Sequence, residues 1–220
     1  MNQRLGLAAA GLLAAAGAGL VACGVTSQVP APPAPPPAAA PAASAVESSS
    51  SSPSPRRAQS RPVRGPVLPP AEPVSVHIPR LDVQSDTMHL GLQPDGAMEV
   101  PQSADPIGWY DKSPSPGVQG PAVLAGHVTW DRKPAVFFRL GEMRPGDRVE
   151  VERADGSTAV FSVTKIATYP KDDFPTVEVY RNLDHAGLRL ITCAGQFDDE
   201  SKRYPDNIVV YAEMVDTIPA

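Results

Sequence analysis

The chain has 220 residues, 27 of them proline, and 19 Lys and Arg against 24 Asp and Glu, for a formal charge of −5. That length suits one ordinary domain with attachments, and the acidic balance argues against nucleic acid as a partner. Thirteen of the prolines fall between Pro30 and Pro70, so the chain is not uniformly globular.

The first element is an apolar segment at residues 1–25, with Arg4 ahead of an Ala- and Gly-rich run from Leu5 to Val25. The pattern is that of a secretion signal, and its length is just enough to cross a bilayer. Two readings stand side by side. In one the segment stays as an uncleaved signal anchor. In the other, "LVAC" (Leu20–Cys23) followed by Gly24 resembles a bacterial lipobox, which makes Cys23 the candidate lipidation residue. Both put the remainder of the chain on the extracellular face of the cell membrane. A chance match, with Cys23 a plain apolar helix residue, is the bland alternative.

Residues 26–72 read as a disordered linker of Pro, Ala and Ser. They hold no aromatic residue and cannot bury a core. At ~3.1 Å per residue their full extension is roughly 145 Å. Arg56, Arg57, Arg61 and Arg64 make the distal part basic, the composition of a solvated linker.

Residues 73–218 have a different texture. From 73 to the end there are fourteen Lys and Arg against twenty-two Asp and Glu, a net of −8. "VSVHIP" at 74–79 alternates as a strand does. "MHLGLQPDGAMEVP" at 88–101 predicts two short strands around Pro94-Asp95-Gly96. "DRVEVERADGSTAVFSVTKIATYP" at 147–170 predicts a hairpin turning at Asp155-Gly156. "TVEVY" at 176–180, "LRLITC" at 188–193 and "NIVVYAEMV" at 207–215 complete the strands, while "KPAVFFRLGEM" at 133–143 reads as a helical turn or a loop. Seven or eight short strands with turn signals predict an all-β sandwich or barrel.

Only two cysteines exist, Cys23 and Cys193. Structural cysteines of exported proteins are usually paired, so Cys193 is either a buried filler or a reactive thiol. It ends the apolar run "LRLIT" and opens into Ala194-Gly195, a place where a scaffold presents chemistry. A thiol nucleophile needs a proton acceptor and an oxyanion partner. Of four histidines, His77 and His89 fall in early strands and His185 in the loop "NLDHAG". His127 ends the run "PAVLAGH" after two small residues, 66 positions before the cysteine. Arg203 follows the cysteine by ten residues; a strand–loop–strand return can bring it back beside the thiol, though spacing alone favours a surface arginine near "DDE". A permanently charged guanidinium with several donors suits an oxyanion.

"LAGHVTW", "LITCAG" and "KRYPDNIVVYAE" together resemble the sortase family, and within it the class F enzymes of actinobacteria. "GWYDKSPSPGVQGPAVLAGHV" and "PAVFFRLGEMRPGDRVEVERADG" extend the likeness over nearly all of residues 73–216. The resemblance implies a closed eight-stranded β-barrel with short helices or turns in its loops. It implies a cysteine transpeptidase that cleaves an LPxTG-type sorting signal of a surface protein between Thr and Gly. The Thr carbonyl is then joined to a cell-wall precursor amine through a thioacyl-enzyme. It makes Cys193 the nucleophile, His127 the acid/base, Arg203 the substrate and oxyanion ligand, and Thr192 an assistant in the same pocket. No cofactor and no metal are implied, and a monomer is expected. One departure from the family pattern is Arg189-Leu190, where a Thr-Leu pair is common. "FDDE" at 197–200 reads as a solvated acidic loop. Two other readings remain: an exported wall enzyme of the L,D-transpeptidase kind, and a non-catalytic tethered β-domain. The first fits poorly, since Ile191-Thr192 precede the cysteine and Ala194-Gly195 follow it.

Overall fold

A computed structural model describes residues 29, 31–36 and 63–220. The apolar segment and Cys23 lie outside the described residues. Among the described residues no helix is long and apolar enough to cross a membrane.

Strands dominate. In chain order they are β1 (Pro73–Ile78), β2 (Val83–Leu90), β3 (Ile107–Tyr110), β4 (Gly120–Ala125), a small ribbon of β5 (Thr129–Trp130) and β6 (Lys133–Pro134), then β7 (Arg148–Arg153), β8 (Thr158–Pro170), β9 (Ala186–Ala194) and β10 (Asp206–Ile218). Between them lie 3-10 turns at Pro79–Leu81, Leu140–Glu142 and Lys171–Asp173, and one short helix, α1 (Thr176–Tyr180). Eight strands close a barrel in the order β1-β2-β3-β4-β9-β10-β8-β7. The β2–β3 and β4–β9 contacts are parallel and the remaining pairs antiparallel. Closure removes the sheet edges that would otherwise recruit other chains.

The period of two decides what fills the barrel. Ala122 and Leu124 of β4, Leu188 and Leu190 of β9, and Ile208, Val210 and Ala212 of β10 join Phe137, Leu140, Met143 and Phe161 in the main core. The alternate residues Val123, Ile191, Val209 and Tyr211 form a second cluster on the outside, covered by Val179 of α1.

The structure departs from the sequence expectation in three places. "TVEVY" is α1 rather than a strand. Of the two strands expected around Pro94-Asp95-Gly96, the first is the end of β2 at Met88–Leu90 and the second reduces to a bridge between Leu92 and Met98, with Asp95 Oδ1 accepting the Ala97 N–H at 3.0 Å. Residues 63–72, linker by composition, lie along the barrel. Arg64 N–H donates to Asp184 O at 2.6 Å, Leu68 N–H to Gly117 O at 2.8 Å, and Ala154 N–H to Glu72 O at 2.8 Å. The fully buried Arg153 side chain donates to Pro69 O. Backbone hydrogen bonds need no apolar residues, so composition does not reveal this strap.

Candidate active site

Parallel pairing of β4 with β9 builds the site. Their register runs from Gly120 opposite Ala186 to Ala125 opposite Ile191. It continues past the strand end, because Gly126 N–H donates to Ile191 O at 3.1 Å and the Thr192 hydroxyl donates to Gly126 O at 2.8 Å. The same alignment carried one step further sets His127 level with Cys193 on the adjoining chain, where neighbouring strands lie ~4.8 Å apart. Leu188, Leu190 and Ala194 face the core and Ile191 faces out, so Cys193 takes the outer face at the barrel rim. It is half-buried and packs beside an apolar group of Val29, Val128 and Tyr204, together with Phe138 and Phe197. Gly195, at φ 88°, turns the chain away directly after, and a Cβ there would meet Pro205 Cγ at 2.8 Å.

His127 has a fixed orientation. Its Nε2 lies 2.8 Å from the Pro101 carbonyl. A carbonyl only accepts, so Nε2 carries the proton and Nδ1 is left for proton exchange. The exposed Trp130 of β5 flanks the ring, centroids 4.9 Å apart.

Arg203 lies in the β9–β10 loop, bridged to Asp198. Its guanidinium is turned toward Asp172, 3.5 Å away, and both groups are largely exposed. Lys171, the neighbour of Asp172, places Nζ 3.3 Å from Cys193 Sγ. So the register puts the His127 and Cys193 positions on adjoining segments tied by Thr192, the Pro101 carbonyl holds His127, Lys171 reaches the thiol, and Arg203 is paired with Asp172, the neighbour of Lys171. Neither Lys171 nor the Pro101 carbonyl has a local sequence signal. Lys171 sits one residue past the end of β8, where Pro170 pairs with Asp206, and only that pairing brings it to the thiol.

Thr192 is buried and uses its hydroxyl proton on Gly126, so it ties the cysteine strand to the histidine strand. Arg189, the departure from the sortase pattern, is buried behind the site. Its guanidinium lies 4.6 Å from the Tyr211 ring centroid and donates to Val179 O and Leu188 O. Burial lowers the Arg189 pKa. Burial, helped by the hydrogen bond with Tyr169, pushes the Tyr211 hydroxyl well above its ordinary range. The acidic loop is satisfied by its own groups and by Arg132: Asp198 accepts from Ser201 and the Glu200 N–H, which hold its carboxyl below the usual range, and Asp199 pairs with Arg132 at 3.1 Å. Among the described residues no group of three metal-ligating side chains converges.

A cleft of about 670 Å³ runs past Val83, Ser85, Phe138 and Arg139, and its lining does not include Cys193 or His127. A half-buried thiol with a lysine in contact, and a histidine oriented so that Nδ1 can exchange protons, can attack a carbonyl and manage its protons.

The family model for the sortase domain matches residues 76–215. No curated protein sequence matches the chain. Among solved structures, sortase A of Listeria monocytogenes is similar at 21% identity and TM-score 0.50, covering 66% of this chain and 88% of its own. A lid mutant of sortase A from Corynebacterium diphtheriae has 21% identity and TM-score 0.52, covering 66% and 71%. Sortase C of Streptococcus pneumoniae has 19% identity and TM-score 0.52, covering 68% and 70%.

Proposed function

We propose a substrate and a reaction for this chain, which belongs to the sortase family and is a cysteine transpeptidase: it cuts a surface protein at an LPxTG-type sorting signal between Thr and Gly and passes the Thr acyl group to a cell-wall precursor amine. Within the family we assign it to class F, on "LAGHVTW", "LITCAG" and "KRYPDNIVVYAE". The observation that supports the reading most is the β4–β9 register, carried past the strand ends by the Thr192–Gly126 bond, whose continuation puts the His127 and Cys193 positions on adjoining segments.

In this reading the Cys193 thiol passes its proton to His127 Nδ1, and the thiolate sulfur attacks the Thr carbonyl carbon. The oxyanion is held by backbone N–H groups and by Arg203 once the substrate draws it from Asp172. His127, oriented by the Pro101 carbonyl, gives a proton to the leaving Gly nitrogen. An incoming amine attacks the thioester and loses its proton to His127; water in its place gives hydrolysis. The enzyme works as a monomer outside the cell membrane, held there by residues 1–25 as an anchor or by a lipid on Cys23. The experiment is incubation of the full chain with sorting peptides and amines, followed by mass spectrometry. The reading expects peptide–amine conjugates that depend on Cys193; intact peptides across the whole panel contradict it.

A further inference from the structure

The ammonium of Lys171 lies 3.3 Å from the Cys193 sulfur. The residue is held there from both ends. Its backbone N–H donates to Pro205 O at 2.9 Å, on the loop that carries Arg203, and it follows the last paired residue of β8. Among the described residues Lys171 makes no ion pair, whereas Arg203 is paired with Asp172. The charged and titratable groups on the elements around the thiol are Lys171 and Asp172 of the 3-10 turn, His127 after β4, Arg203 and Tyr204 of the β9–β10 loop and Asp206 at the start of β10. One of these, Lys171, donates to the sulfur.

We propose that Lys171 is a catalytic residue that stabilises the Cys193 thiolate in the unliganded enzyme, which leaves Arg203 for the substrate carbonyl. The proposal rests on Cys193 being the nucleophile. A cation in contact favours the charged form of a thiol, and no proton need pass between lysine and cysteine for it to act. The test is the rate of Cys193 alkylation by iodoacetamide against pH in the full chain, read on the proteolytic peptide that carries Cys193. Lys171→Met should move the profile to higher pH and slow alkylation at neutral pH about tenfold, and Lys171→Arg should restore it. A Lys171→Met profile that overlays the parent overturns the proposal. So does an Arg variant as impaired as Met, which marks a structural role, or a shift in Arg203→Ala with none in Lys171→Met. Alkylation needs no peptide substrate, so a wrong sorting signal does not affect this result.

Discussion

Cys193 and its two sequence neighbours divide between the faces of β9, the thiol to the outer rim, Ala194 to the core, and Thr192 to the Gly126 carbonyl. The assignment of roles follows from that division. Cys193→Ala should remain folded, since the thiol fills no part of the main core, and should lose all peptide cleavage. His127→Ala should lower kcat by about 10²–10⁴ and Arg203→Ala by about 10²–10³, both measured by product formation. Gly126 tests the geometry apart from the chemistry. A Cβ there would meet Phe137 Cδ2 and Val136 Cγ1, both at 2.8 Å. Gly126→Ala should cost about 1–3 kcal/mol in denaturant unfolding. By shifting the turn that carries His127 it should also reduce kcat by on the order of 10². Full activity in Gly126→Ala would mean that the His127 position is not set by this turn.

At the scale of elements, legibility follows the range of the interactions. The Asp155-Gly156 hairpin reads directly, because a local turn with Gly156 at φ 80° joins two alternating strands. β9 and β10 read from apolar runs that fill the barrel. "TVEVY" misleads, because Val177 and Val179 alternate as in a strand. The Val179 carbonyl, however, accepts from the buried Arg189 and its side chain covers the outer cluster, so packing overrides β-propensity. His127 and Cys193 could be singled out one by one, but their proximity depends on a parallel pairing across 66 residues. Lys171 was invisible for the same reason.

The strap at residues 63–72 gives a pH prediction. Hydrogen bonds from Arg64, then His185, hold the Asp184 carboxyl well below the ordinary carboxylate range. A lowered carboxylate contributes stability that is present above the unfolded value, near pH 4, and lost only as pH falls through the lowered one. Amide protection at Arg64 and Leu68 should therefore be as strong in mild acid as at neutral pH. Asp184→Asn should weaken it at both. Protection in the parent that collapses near pH 4 would show that the ion pair does not hold the strap.

For the molecule as a whole, the strap sets where an independently folding unit begins. Composition suggests a start near Glu72, but the buried Arg153 takes Pro69 O as a partner. Losing that acceptor leaves a buried donor unpaired, at about 1–3 kcal/mol. A chain starting at Val63 should exceed one starting at Glu72 by that amount in urea unfolding, and equal midpoints would refute the role of the strap. The acidic charge of residues 73–220 and the Pro-rich sequence ahead of them are in keeping with the surface location proposed above. The most direct measurement is intact-mass analysis of the full chain mixed with a sorting peptide and quenched early in acid. The account predicts an adduct equal in mass to the peptide acyl part, mapped to Cys193 and released by added amine. Peptide turnover with no adduct on Cys193, or turnover that survives Cys193→Ala, would contradict it.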